Sequence, residues 1–370
     1  MSEFSAADHR YMARALALAR KGLTTAHPNP RVGCVLVRGG EIVGEGWHRA
    51  AGEPHAEVNA LAAAGARAQG ATAYVTLEPC AHTGRTGPCT RALIEAGVAE
   101  VVYAHEDPSP HGPESGHAVL EAAGLRVRAG LLRPEARRLN EGFFSRRERG
   151  RPFVRLKIAA SLDGATAMLD GESRWITDEA ARADVQRWRA ASGAIVTGAG
   201  TVLADDPLLT VRNGDRVREQ PLRVVVDSRL ETPPEARLFE VRGPVTVFCA
   251  DDRGRERLEA RGAAVYRLAD GQGRVDLPAM LAKLAELAIN DVLVEAGPSL
   301  CGALLAAGLA DELVIYQAPH IMGSETRRMF TTPRLSRLAD RVALELEDVR
   351  RVGTCLRITA RPVSQLPGRE

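Results

Sequence analysis

His55-Ala56-Glu57, Pro79-Cys80 and Cys89 supply an imidazole, two thiols and a carboxylate, the residue types of a hydrolytic zinc site. Structural zinc sites fill all four tetrahedral positions with protein ligands, whereas catalytic sites keep one for water. His55, Cys80 and Cys89 fill three, which leaves Glu57 as a carrier of protons. Zinc brings the pKa of a bound water from about 15.7 to about 7, so a nucleophile is available at neutral pH. A carboxylate within reach can take the proton and pass it to a ring nitrogen and a departing amine, typically worth about 10²- to 10⁴-fold. Hydrolytic deamination of an aminopyrimidine uses all four residues. The spacing departs from the P-C-x-x-C form of zinc deaminases, because eight residues, 81–88, separate the cysteines. A longer loop must therefore fold back to bring Cys89 to the metal. The competing arrangement is a closed structural site with His82 as fourth ligand, which gives Glu57 no task.

These groups need elements to hold them. A helix predicted from about residue 56 places His55 and Glu57 beside unsatisfied N–H groups, where a carboxylate is favoured and the imidazole stays neutral. A strand over 73–77 leads to Cys80, and a helix over 90–96 starts at Cys89, so a helix N-terminus or the metal lowers both thiol pKa values. A helix over 11–19, a strand over 32–37 turned by Gly39-Gly40 into 42–48, and a strand over 101–104 complete a layered α/β unit. The charged run 140–152 ends in Gly150 and Pro152 and is predicted to be an exposed border, dividing domains 1–147 and 148–370. Its arginines read as a solvated face. Beyond it, strands over 154–159, 194–197, 222–227, 245–249, 291–295, 313–316 and 356–360, with helices over 178–190 and 279–288, predict a second α/β domain with a mostly parallel sheet.

A chain of 370 residues exceeds what one core usually organises. Its 49 basic and 47 acidic residues, net charge of +2 and 4 % aromatic content oppose a nucleic-acid groove, which needs a basic stripe and stacking platforms. No run of about 18 apolar residues occurs. Residues 1–9 carry Glu3 and Asp8 without an apolar signal core, so a cytoplasmic protein with no membrane partner is expected. Cys34, Cys249, Cys301 and Cys355 stand among small or apolar neighbours and read as buried hydrophobes.

The segments His27-Pro28-Asn29-Pro30-x-Val32-Gly33-Cys34, Gly52-Glu53-Pro54-His55-Ala56-Glu57-Val58, and Thr76-Leu77-Glu78-Pro79-Cys80 with Gly84-Arg85-Thr86-x-Pro88-Cys89 resemble the deaminase half of the bifunctional riboflavin-biosynthesis deaminase–reductases. The long loop between the cysteines is that family's form. Lys157-Ile158-Ala159-Ala160-Ser161-Leu162-Asp163-Gly164, Gly171-Glu172-Ser173-Arg174-Trp175-Ile176-Thr177, Thr201-Val202-Leu203-Ala204-Asp205-Asp206-Pro207 and Val294-Glu295-Ala296-Gly297-Pro298-Ser299-Leu300 resemble its reductase half, in the same order.

The resemblance implies an N-terminal cytidine-deaminase-like layered α/β domain holding zinc and a C-terminal dihydrofolate-reductase-like α/β domain using NADPH. It implies two steps on one phosphorylated pyrimidine: loss of the 2-amino group as ammonia, then reduction of the ribosyl side chain to ribityl. Carried over by residue, Asn29, His48 and Arg85 hold substrate in the first pocket, Asn29 at the ring edge and Arg85 at phosphate. Ala159, Trp175, Thr201, Asp205 and Ser228 contact NADPH, with Ser228-Arg229 favouring its 2′-phosphate. The run Gly297, Pro298, Ser299, Leu300, Cys301, Gly302 and Ala303 opens a helix whose exposed N–H groups suit a pyrophosphate. Ser173, Arg189, Leu209, Arg212 and Glu295 grip the second substrate, the two arginines through forked donors to phosphate. Lys157 and Glu295 position and protonate the opened ribose, and Asp163 is a turn residue. Ala165 stands where the family often carries Arg or Lys. The run 107–114 keeps only its Asp-Pro start, which assigns neither His111 nor His117 to a site.

Two other classes share the zinc motif. A nucleic-acid or nucleoside deaminase with an accessory nucleotide-binding domain is opposed by the near-neutral charge. A non-catalytic zinc module leaves Glu57 without purpose. Homo-oligomer formation stays open.

Overall fold

The computed structural model describes residues 4–82, 87–108, 115–212 and 219–363. The chain divides into two compact units, 1–150 and 151–370.

In the first unit, Ser5 and Asp8 cap α1 (Ala6–Ala19) in a reciprocal box. Strands β1 (Gly33–Arg38) and β2 (Glu41–Trp47) are joined through Gly39 and Gly40, whose φ values of 59° and 86° are those of a two-residue hairpin turn. There follow α2 (Ala56–Ala64), β3 (Thr72–Val75), α3 (Cys89–Glu95), β4 (Glu100–Tyr103), α4 (Gly116–Ala122), β5 (Arg126–Ala129), α5 (Arg133–Leu139) and α6 (Glu141–Arg149). The sheet order is β2-β1-β3-β4-β5; β1 is antiparallel to both neighbours, and β3, β4 and β5 are parallel.

The pleat of β1 sends alternate residues to opposite faces. Cys34 and Leu36 join the core under α2, while Val35 and Val37 join the core under α1. Both helices approach the strands so closely that side chains are excluded at three points. A Cβ on Gly33 would lie 2.1 Å from the Ala15 carbonyl oxygen, one on Gly44 2.4 Å from that of Ala60, and one on Gly46 2.3 Å from that of Ala56. The last contact fixes the first turn of α2, which carries Glu57.

The border between the units falls at 150/151, inside the charged run 140–152 as expected, and residues 147–150 are exposed, but the earlier part of the run is packed. Most of it is α6, with Asn140, Phe143, Phe144 and Ser145 buried, and the predicted division at 147/148 falls inside that helix. Asn140 locks α6 to the rest of the unit: its Oδ1 accepts from Arg31 N at 2.8 Å, and its Nδ2 donates to Arg31 O at 2.9 Å. The aromatic pair belongs to the apolar core, and the charges at 146–149 fill the last turn of the helix.

The second unit contains β6 (Phe153–Ser161), β7 (Ala165–Met168), α7 (Glu179–Ala191), β8 (Ala194–Gly198), α8 (Ala199–Asp205), β9 (Leu222–Val226), β10 (Val245–Cys249), α9 (Glu256–Glu259) and β11 (Ala263–Arg267). It continues with α10 (Leu277–Glu286), β12 (Asp291–Val294), α11 (Pro298–Ala306), β13 (Glu312–Ala318), β14 (Thr326–Arg328), β15 (Leu344–Val352) and β16 (Cys355–Pro362). The nine-stranded sheet runs β11-β10-β9-β8-β12-β6-β13-β16-β15. It is parallel up to β13, and β16 and β15 close it as antiparallel strands. Central strands such as β8 and β12 are apolar on both faces, as a sheet covered on both sides requires. The sequence pattern omits β7, β11, β14 and β15. Strand β15 (LELEDVRRV) is exposed or half-buried along its whole length, and its Leu344-Glu345-Leu346-Glu347 alternation lapses at Asp348. Cys34, Cys249, Cys301 and Cys355 are buried, as expected. Among the described residues no helix is long and apolar enough to cross a membrane.

Gly46→Ala is expected to push α2 off β2 and destabilise the first unit by about 1–3 kcal/mol, the usual cost of overpacking. Thermal unfolding of the variant beside the parent checks this; an unchanged midpoint would show that the helix yields freely.

Candidate active sites

His55 is the N-cap of α2, and its side chain makes no cap hydrogen bond, so the imidazole is free to turn toward the cysteines. Cys89 opens α3, and its backbone N–H donates to Cys80 Sγ at 3.4 Å, which ties the two ends of the long loop together. His55 Nδ1 lies 3.2 Å from Cys89 Sγ and 3.6 Å from Cys80 Sγ. Tetrahedral zinc with bonds of about 2.0–2.1 Å to nitrogen and about 2.3 Å to sulfur separates N and S by about 3.5 Å. The donor set therefore fits the ion in identity and spacing. Among the described residues these three form the one metal-ligating cluster, and His82 is not part of it.

Glu57 sits in the first turn of α2, 3 % exposed. Burial pushes its carboxyl up to about 7; the negative charge of Cys80 adds to that effect and His55 opposes it. Hydrogen bonding from Cys89 holds the Cys80 thiol below its ordinary range, with His55 contributing. A carboxyl poised near neutrality can both accept and return a proton.

A cavity of about 400 Å³ opens over this cluster and is lined by Asn29, His48, His55, Glu57, Cys80 and His82 among others. His48 Nδ1 faces the Pro54 carbonyl oxygen at 3.2 Å, so Nδ1 carries the proton, and Nε2 accepts from Asn29 Nδ2 at 3.0 Å. Burial lowers the His48 pKa and keeps that neutral form. The Asn29 amide is thereby oriented, leaving its oxygen for a ring N–H. Buried Glu78 fixes the far wall by accepting from Asp107 N at 3.2 Å and His117 N at 2.8 Å. Asp107, Arg146 and Arg147 also line the cavity, and the sequence pattern assigned none of them a site. The signal for the arginines was the Phe143-Phe144 pair, which marks a packed helix inside a charged run. Arg85 and His111 lie outside the described residues.

The second site lies at the carboxyl ends of the parallel strands, beside the place where the order reverses between β8 and β12. Its cavity, about 1360 Å³, is lined by Lys157, Ala159, Ser173, Trp175, Arg189, Thr201, Asp205, Leu209, Arg212, Ser228, Glu295, Gly297, Pro298, Ser299 and Leu300. Lys157 and Glu295 each follow the paired residues Leu156 and Val294, so adjacent strands deliver them to one level. Lys157 Nζ is 3.4 Å from Glu295 Oε2. Burial alone would raise the Glu295 carboxyl, but attraction first from Arg189 and then from Lys157 outweighs it and holds the pKa at about 2.

Two expectations change here. Arg189 does not offer an open fork to phosphate: Nε and Nη2 donate to Glu295 at 2.6 and 3.0 Å, and Nη1 donates to Thr210 O at 2.8 Å. It fixes Glu295 instead. Gly297 caps α11 without a side-chain bond, and Pro298 through Leu300 form the open first turn, but Cys301, Gly302 and Ala303 do not reach the cavity. Cys301 and Gly302 are buried, a Cβ on Gly302 would lie 2.0 Å from Thr331 O, and Ala303 is exposed elsewhere. Asp163 accepts from Met322 N at 3.1 Å and Gly323 N at 2.8 Å, so it pins its turn to the 322–323 segment. Ala165 is fully buried on β7, and no long side chain reaches the cavity from there.

Residues 5–105 match the cytidine and deoxycytidylate deaminase zinc-binding region, and residues 152–357 match the RibD C-terminal domain. The riboflavin biosynthesis protein RibD of Escherichia coli K12 is 48 % identical over 364 residues, spanning 95 % of this chain and 99 % of its own. The chain belongs to the RibD family. RibD of Acinetobacter baumannii superposes with a TM-score of 0.91 at 43 % identity, over 97 % of this chain and 99 % of its own. A Thermotoga maritima protein described as a diaminohydroxyphosphoribosylaminopyrimidine deaminase/5-amino-6-(5-phosphoribosylamino)uracil reductase gives 0.86 at 33 % identity, over 96 % and 99 %. As a RibD protein the chain is a bifunctional deaminase and reductase of riboflavin biosynthesis, with the deaminase in its N-terminal domain and the reductase in its C-terminal domain.

Removing Glu295 leaves Arg189 and Lys157 as uncompensated buried charges, so Glu295→Gln is expected to cost about 3–5 kcal/mol of stability at neutral pH. A carboxyl held below its ordinary value of about 4.3 contributes stability that is complete above that value and lost as pH falls. The difference between parent and variant in urea unfolding should therefore be largest above about pH 5 and shrink toward pH 2, where Glu295 takes up its proton. A constant difference across that range would contradict the pairing.

Proposed function

We propose that the first unit deaminates the phosphorylated diaminopyrimidine named for the Thermotoga relative, and that the second reduces its ribosyl side chain to ribityl with NADPH. The observation that carries this reading is the buried Glu57 beside the His55, Cys80 and Cys89 cluster, under a cavity lined by Asn29 and His48. Zinc held by those three ligands supplies the Lewis acidity that makes water nucleophilic near neutral pH. Glu57 takes one proton from the attacking water to the ring nitrogen, then moves the proton of the added hydroxyl to the departing amine, which leaves as ammonia as the carbonyl forms. Asn29, oriented through His48, reads the ring edge.

In the second unit, NADPH supplies the hydride that reduces C1′ of the sugar. The first turn of α11, from Gly297 to Leu300, offers free N–H groups to its pyrophosphate. Ala159, Trp175, Thr201, Asp205 and Ser228 line the rest of its bed, and Arg229 beside Ser228 suits the 2′-phosphate. Lys157 and Glu295 take different parts. Glu295 remains a carboxylate at neutral pH, so Lys157 carries the proton to the ribose oxygen released on ring opening, and Glu295 with Arg189 holds it there. Ser173, Leu209 and Arg212 border the substrate's place, and Arg212 is its phosphate partner because the Arg189 fork is occupied. A cytoplasmic enzyme acting on a small phosphorylated molecule, without nucleic acid, fits the near-neutral charge.

Glu57→Gln is expected to lower ammonia release by about 10²- to 10⁴-fold while NADPH oxidation with pre-deaminated substrate continues. Lys157→Met should do the reverse, and chelation of zinc should match the first pattern. Loss of both activities in a folded single variant would refute independent sites.

A further inference from the structure

Arg146 and Arg147 bring two adjacent guanidinium groups to the wall of the deaminase cavity. Their position is fixed from below. Asn140 is bonded to both backbone groups of Arg31, two residues from Asn29, and Phe143 and Phe144 are embedded in the core. Arg147 lies over the Phe143 ring at 5.8 Å, and that ring lines the same cavity.

Arg146 differs from the other arginines with a buried, unbonded Nε. Arg223 donates its remaining N–H groups to carbonyl oxygens, Arg357 pairs with Asp184, and Arg361 pairs with Glu347. Among the described residues Arg146 has no such partner. Burial and then repulsion by Arg147 lower its pKa, and no carboxylate offsets them. By contrast, Arg137 on α5 spends its fork on Glu148, and Arg189 in the reductase cavity spends its own on Glu295. A desolvated guanidinium beside a like charge is unfavourable unless an anion completes the site. A phosphate provides two oxygens that accept side by side from such a planar fork.

We propose that Arg146, with Arg147 beside it, binds the phosphate of the deaminase substrate and makes the first reaction selective for the phosphorylated pyrimidine over its nucleoside. This rests on the deaminase reading above. It adds a fixed cationic wall, supplied by α6, to the ring-reading side supplied by Asn29 and His48.

The test uses the full chain and Arg146→Met, which keeps an unbranched apolar stem without the charge, with Arg146→Lys as the conservative variant. Hydrogen bonds to charged groups are worth about 1.5–3 kcal/mol, so KM for ammonia release in Arg146→Met should rise by about 10- to 100-fold with kcat changed less than about 3-fold. Inhibition by the competing nucleoside should be unchanged, and Arg146→Lys should recover part of the loss. Zinc content and NADPH oxidation with pre-deaminated substrate should match the parent. An unchanged KM, or an equal loss of nucleoside and substrate binding, overturns the assignment. Inorganic phosphate provides a readout independent of turnover: it should raise the unfolding temperature of the parent more than that of Arg146→Met, and equal shifts again overturn the assignment. If the parent itself releases no ammonia, the deaminase reading fails, and the phosphate comparison still decides the role of Arg146.

Discussion

A carboxylate taken out of water must be met by fixed positive charge or by hydrogen-bond donors, and the two units answer that requirement in opposite ways. Glu295 is clamped by Arg189 on α7 and faces Lys157 on β6, so it is a permanent anion. Among the described residues no cationic side chain clamps Glu57, and burial leaves it near the point where it exchanges protons. Environments that push two carboxyls in opposite directions also assign their roles. In the proposed mechanism Glu295 shapes a field and orients a neighbour, and Glu57 carries protons between atoms of a substrate.

The scaffold beneath each carboxylate follows from that division. Glu57 must be held within reach of three ligands that come from separate parts of the chain, and backbone-to-backbone packing at Gly44 and Gly46 sets α2 with little freedom to drift. Two thiolates bring two negative charges that a divalent cation cancels, so the carboxylate remains the charge that varies. Glu295 instead depends on strand register: β12 and β6 end side by side, and the next residue of each completes an ion pair. A register error of one residue would turn both groups to the opposite face of the sheet.

Much of this was legible in the sequence because the relevant signals are local. The His55, Glu57, Cys80 and Cys89 spacing named the metal chemistry, Gly39-Gly40 named the hairpin, and alternating apolar runs located most of the strands that support both cavities. The missing parts depend on tertiary context. Arg146 lies in a run whose composition resembles a linker, and only the docking of Phe143 and Phe144 turns that run into a cavity wall. The occupied fork of Arg189 cannot be read from its neighbours in sequence, since Glu295 is 106 positions away. The small-residue run 297–303 looked uniform, yet its first half faces a ligand space and its second half packs against the segment at Thr331.

That last contact has a thermodynamic consequence for the second unit. Thr331 N donates to Pro298 O at 3.0 Å, and Gly302 rests directly on the Thr331 carbonyl, so α11 is held at both its opening and its middle by the same segment. The exposed amides of its first turn therefore keep their orientation before any ligand arrives. Association at this helix needs little ordering of the chain, and more of the contact energy is available as affinity. Under the proposed NADPH assignment, the segment around residue 331 acts as a stiffener that sets the entropy of binding.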